Sequence, residues 1–205
     1  MAKDFTNPWG QGGKHWPPKW MGDRDDSENL NNNLFRKVKI TITNIEDGWG
    51  VVRSYPNNDG NKYKVPLYLC TVSGKNSKNE EITYTFKCIR FGVQYDTSKN
   101  IGPQVVGLKD EQSYTIKWIY QKNMGEYSWQ VTGNWMIHRG ASNPQTSAFG
   151  ALGCIEITGS DEWSRFNKAI LELTGASSEN EVSSKKLATA YYERVSSRPP
   201  LVKYQ

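Results

Sequence analysis

The sequence predicts a mainly β domain with one packed C-terminal helix and an irregular N-terminal arm. Three observations point there. Apolar and polar residues alternate over several stretches after Phe35, as in "KVKITITNI", which is the pattern of half-buried strands. Turn-forming Gly, Asn and Ser clusters such as "GKNSKNE" separate those stretches. The period becomes helical in "SDEWSRFNKAILELTG", and parallel βαβ alternation is missing, which disfavours a doubly wound sheet.

In chain order, residues 1–34 carry neither period and form the arm. Trp9, Trp16 and Trp20 are too many indoles for a free tail, so the arm is expected to bury them on the main domain, the alternative being a docking segment for a partner or a glycan. Residues 35–205 make the β-rich domain. "KVKITITNI" sets Val38, Ile40 and Ile42 on one face, and "EDG" then reads as a hairpin into "GWGVVRSY". "YKVPLYLCTVS" and "EITYTFKCIRFG" form a second hairpin. Centred on Asn79, it places Cys70 opposite Cys88 as two buried core thiols. "SYTIKWIYQ", "GEYSWQV" and "GNWMIHRG" continue as strands. Ser160 is a candidate cap for the helix, Trp163, Phe166, Ile170 and Leu173 form its apolar face, and Gly175 stops it. A short second helix within "SSENEVSSKKLATA", a strand at "AYYERV" and an extended tail complete the chain.

A chain of 205 residues with a net charge of +5 spread along its length has no basic block of the kind that binds nucleic acid. No apolar run approaches a membrane span. The first twenty residues lack the apolar core of a secretory signal, so synthesis is expected in the cytoplasm. The three cysteines and two histidines have no metal-ligand spacing, and no metal or other cofactor is expected.

Chemistry concentrates in "IHRGASNPQTSAFGALGCIEI", residues 137–157. "NWMIH" reads as a strand ending at His138, and "GCIEI" as a strand beginning at Cys154. A strand end, a loop and a strand start are suited to bringing a thiol within reach of an imidazole base. A lowered thiol pKa beside an imidazolium would make Cys154 a nucleophile. Attack on an amide makes an oxyanion that wants fixed N–H donors. The amides at Gly153 and Cys154 are candidates, and Gly140 permits another close approach. Against this stands a plain structural reading, a buried cysteine and a hydrogen-bonded histidine.

Ile137, His138 and Gly140, followed by Gly153, Cys154 and Ile155, resemble the signature of the L,D-transpeptidase-like family. The similarity is greatest to its short phage- and effector-associated relatives with an Ile-His-x-Gly element and a later Gly-Cys-Ile. Papain-like and NlpC-like peptidases run Cys before His and fit poorly. The resemblance implies a sandwich- or barrel-like β fold, Cys154 as nucleophile and His138 as base. It implies acyl transfer or hydrolysis on peptidoglycan stem peptides. Because that substrate lies outside the cytoplasm, it also implies an antibacterial effector carried by a secretion machine into a target-cell periplasm, with an immunity protein or a delivery-tube component as partner.

Three departures bear on the site. Leu152 stands where the family has His. Glu156 stands where many members carry a substrate-binding Arg, and a carboxylate there is expected to repel an anionic stem peptide. Arg139 is the candidate to compensate. Ser142, Asn143, Thr146 and Ser147 are all open as groups that orient His138 or touch substrate. A non-catalytic phage-tail or secretion component, and a glycan-binding module using some of the eight Trp and eleven Tyr, are the alternatives.

Overall fold

A computed structural model describes residues 35–147 and 152–204. The arm expected over residues 1–34 lies outside the described residues. The protein is mainly β, with few helices. Its strands are β1 (Val38–Pro56), β2 (Lys62–Lys75), β3 (Glu81–Ile89), β4 (Gly92–Asp96), β5 (Ile101–Val106), β6 (Gln112–Thr115), β7 (Lys117–Gln121), β8 (Glu126–Thr132), β9 (Trp135–Arg139), β10 (Ile155–Thr158), β11 (Ala188–Tyr192) and β12 (Val202–Tyr204). Helices α1 (Glu162–Thr174) and α2 (Glu179–Ser184) lie between β10 and β11. The sheet runs β5-β4-β1-β2-β3-β10-β9-β8-β7; β11 joins β1 to β6, and β12 pairs with β2.

β1 differs from expectation. "EDG" does not turn the chain; β1 continues through it as one strand, with register shifts against β2 between Ile42 and Glu46 and between Glu46 and Trp49. The extra residues are absorbed as an irregularity because β2 pairs with both halves of β1. Thr43 holds the bend: its hydroxyl donates to the Leu69 carbonyl at 2.9 Å and accepts from Ile45 N–H at 3.1 Å. Arg90, fully buried, ties the same region to two others. Its guanidinium donates to the carbonyls of Thr43, Leu108 and Glu193.

The β2–β3 hairpin forms as expected but in another register. Its turn is held by Asn76, whose side chain accepts from Lys78 and Glu80 N–H, and Lys75 pairs with Glu81. The hairpin is therefore not centred on Asn79: Cys70 faces Phe86, and Cys88 faces Tyr68. The two thiols remain free, buried and mutually hydrogen-bonded, which together with burial raises the pKa of Cys70. "SYTIKWIYQ" divides at Ile116, because β6 pairs with β11 while β7 pairs with β8.

The middle of the sheet is covered on both faces. One face carries Cys70, Val72, Phe86, Cys88 and Ile157, and α1 packs on it, with the Phe86 and Phe166 rings edge-to-face at 5.3 Å. Phe166, Ile170 and Leu173 are buried, each worth roughly 1.5–3 kcal/mol of transfer free energy. The cap of α1 is Asp161 rather than Ser160, in a left-handed conformation and without a side-chain cap bond. Gly175 ends the helix as expected, its N–H bonding to Leu171 O. The other face carries Val52, Tyr63, Val65, Leu67, Ile89 and Val93.

Candidate active site

β9 and β10 are adjacent and parallel, with Ile137 paired to Ile155, His138 to Glu156 and Arg139 to Ile157. β10 also pairs with β3, where Glu156 faces Ile89, and Ile89 faces Leu67. His138, Glu156, Ile89 and Leu67 thus form one cross-strand row on the face away from α1. Cys154 lies two positions before Glu156. Ideal strand spacing then puts its Cα roughly 8 Å from that of His138. The structure brings the two sequence-predicted residues to neighbouring strands at one end of the sheet.

The described part of the connection, residues 140–147, folds back over this row. Gly140 N–H donates to Ile157 O at 2.8 Å, and Gly159 N–H to Ala141 O at 2.9 Å. Val51 N–H donates to Pro144 O at 2.6 Å, which seats Pro144 beside Leu67. A Cβ on Gly140 would stand 2.9 Å from Glu156 Cβ, so this glycine serves strand packing, and its amide is engaged in the Ile157 bond. The loop's own polar groups brace one another: Asn143 accepts from Gln145 N–H through its side chain and from Thr146 and Ser147 N–H through its carbonyl.

His138 is 5% exposed. Its Nδ1 lies 2.9 Å from Arg139 O. A carbonyl can only accept, so Nδ1 carries the proton, and Nε2 is left as a base. The group that orients His138 is therefore a backbone carbonyl and none of Ser142, Asn143, Thr146 or Ser147. Burial lowers the pKa of the imidazole, which keeps it neutral at pH 7.

Cys154 is partly exposed, and its Sγ donates to Asn134 O at 3.7 Å. Burial raises its pKa; the Met136 N–H opposes this, and nearby Glu156 adds to it. Thiol and imidazole are consequently each neutral, not the thiolate–imidazolium pair expected from the sequence. The sulfur faces a cleft of about 340 Å³ walled, among the described residues, by Gln94, Val106, Gly107, Asn134, Trp135, Leu152 and Arg198. Leu152 supplies apolar wall. Gly153 has φ of +84°, and a Cβ there would stand 2.6 Å from Gly107 Cα and 2.7 Å from Trp135 Cζ3. Only glycine lets the chain enter β10 against that wall.

Glu156 is not the substrate-facing carboxylate the sequence suggested. It is fully buried, neither oxygen has a hydrogen-bond partner, and burial raises its pKa to about 8. At neutral pH it is a carboxylic acid, so its expected repulsion of an anionic substrate does not arise. Arg139 points to the opposite side of β9 from His138 and pairs with Glu126 at 3.1 Å, while Ser147 is exposed on the loop. Neither lines the thiol cleft among the described residues.

Sequence reasoning missed Gly107, Trp135 and Arg198 as cleft residues. Trp135 falls within the "NWMIH" stretch read as a strand, but nothing in the local pattern marks it as a cleft wall. Gly107 and Arg198 come from distant segments that no local pattern connects. Among the described residues no group of three His, Cys, Asp or Glu side chains is placed to hold a metal ion, and no helix is long and apolar enough to cross a membrane. Comparison with protein-family models, with curated proteins and with solved structures finds no match.

Proposed function

We propose that the protein is a cysteine-dependent acyltransferase or hydrolase acting on peptidoglycan stem peptides. The observation that carries this reading is a cleft-lining thiol beside a strand whose histidine has Nδ1 committed to a carbonyl and Nε2 left as a base. The stem-peptide substrate class follows from the resemblance of "IHRG" and "GCIEI" to the L,D-transpeptidase-like signature.

The chemistry is general-base catalysis by a neutral pair. The Cys154 side chain turns from Asn134 O toward His138. Nε2 takes the thiol proton as Sγ attacks the amide carbonyl carbon. The tetrahedral oxyanion collapses, the C–N bond breaks, and the imidazolium returns the proton to the departing amine. The resulting thioester is attacked by water, giving an acid, or by an acceptor amine, giving a new amide. His138 takes the attacking group's proton and restores it to sulfur.

The test is muropeptide profiling of sacculi incubated with wild type and with Cys154→Ala. Wild type is expected to alter the stem peptides and the variant to leave them as supplied. Identical profiles from the two proteins would remove the enzymatic reading.

A further inference from the structure

Arg198 lies on the C-terminal strap, the segment 193–201 between β11 and β12, far in sequence from the thiol whose cleft it lines. It lines the 340 Å³ cleft of Cys154 and also a second cleft of about 1310 Å³, whose walls include Glu46, Trp49, Lys64, Arg194 and the strap itself. The strap is held in place at its far end, where β12 pairs with β2 and the Tyr204 ring lies 5.6 Å from that of Trp49. Arg198 is anchored by a bond from Nε to Gly107 O at 3.2 Å. Among the described residues no carboxylate pairs with it, and its terminal nitrogens make no hydrogen bond. Glu156, two positions from the thiol in sequence, is buried and protonated at neutral pH and lines neither cleft. An anchored guanidinium with a free fork, in the same small cleft as a nucleophile, is suited to take a carboxylate in two-point contact.

We propose that Arg198 is the specificity-determining residue of the Cys154 cleft, recognising a carboxylate on the peptide close to the carbonyl that the thiol attacks. The remainder of the peptide extends along the strap into the larger cleft, where Lys64, Arg194 and Arg198 outnumber Glu46. The inference rests on the acyl-transfer reading for its substrate, but its test does not depend on turnover.

Cys154 is alkylated with iodoacetate, which is anionic, and with iodoacetamide, its neutral counterpart, and the ratio of the two rates is measured by peptide mass mapping. Buried Cys70 and Cys88 remain unlabelled in every folded variant and report unfolding. Arg198→Gln is expected to lower the ratio at least about threefold, the effect of one charge across several ångströms of partly solvated cleft. Arg198→Lys keeps the charge and should keep most of the ratio, and Lys168→Gln, at an exposed position of α1 that lines neither cleft, should leave it alone. Added salt should shrink the wild-type preference. A ratio unchanged by Arg198→Gln, or a Cys154 that neither reagent reaches, overturns the proposal.

Competition against iodoacetamide then identifies the source of the carboxylate. Protection by N-acetyl-alanyl-alanine but not its amide assigns a C-terminal carboxylate, and protection by N-acetyl-glutamyl-alaninamide assigns a side chain. Equal protection by the neutral amide would contradict carboxylate recognition. Altered ratios with unaltered muropeptides would leave the anion seat standing and remove the proposed activity, and the converse would do the reverse.

Discussion

Glu156 is the residue whose chemistry departs furthest from its place in the sequence. Its folded pKa of about 8 is raised above the ordinary carboxyl value of 4.5. The folded state therefore holds the proton more tightly than the unfolded chain. The associated stability is fully present below about pH 4.5 and is lost as pH rises through about 8. Glu156→Gln mimics the protonated acid. It is expected to remove that slope and to stabilise the protein at pH 8 and above by on the order of 3–5 kcal/mol, read from urea unfolding across the pH range. A slope that persists in the variant would place the titrating group elsewhere. His138 shifts in the opposite sense. Its lowered pKa makes the folded state resist protonation, so its contribution is present above the ordinary histidine value of 6.5 and is lost as pH falls below it. The acid limb of any thiol-dependent activity should accordingly lie below that value. Gly153→Ala meets backbone and an indole at under 3 Å and demands a positive φ; it should cost more than about 2 kcal/mol by denaturant titration. That His138 lies near the end of one strand and Cys154 just before another was legible, because Gly140 and Gly153 mark the strand boundaries. The burial of Glu156 was not, since alternation along "GCIEI" carries no sign that α1 covers one face and the 140–147 loop the other.

At the scale of elements, α1 and the loop between β9 and β10 fix the site from its two sides. Phe166 packs edge-to-face on Phe86 and is fully buried, and Asn167 accepts from Trp129 Nε1 at 2.8 Å. Phe166→Ala should therefore cost about 3–5 kcal/mol in urea unfolding. A loss under about 1 kcal/mol would mean that α1 does not hold the sheet. The helix was legible from its period and from Gly175, and the strands of the hairpin from their alternation. Register was not legible. Whether "GKNSKNE" turns about one residue or its neighbour depends on side-chain bonds of Asn76, and that choice decides whether Cys88 faces Cys70 or Tyr68. The "EDG" segment has turn-forming composition, yet pairing along the length of β2 outweighs the local preference.

Over the whole molecule, one end of the sheet assembles groups that the chain order scatters. β9 brings His138, the entry to β10 Cys154, the β5–β6 connection Gly107, and the C-terminal strap Arg198. Parallel pairing of β9 with β10 makes a histidine and a later cysteine neighbours without any contact between them being written in the local sequence. Arg198 stands in a tail whose composition reads as extended chain; the pairing of β12 with β2, the Val195 N–H bond to Lys109 O and its own bond to Gly107 O carry it to the cleft.

The central claim is that the sulfur of Cys154 is acylated by a peptide. Intact-mass and peptide mapping of the protein quenched in acid during incubation with soluble muropeptides tests this directly. The account predicts an acyl adduct on the Cys154 peptide, none on Cys70 or Cys88, and its loss in His138→Ala. Altered muropeptides from a protein that retains this activity after Cys154→Ala, or a muropeptide mixture left intact with an unmodified thiol, would contradict it.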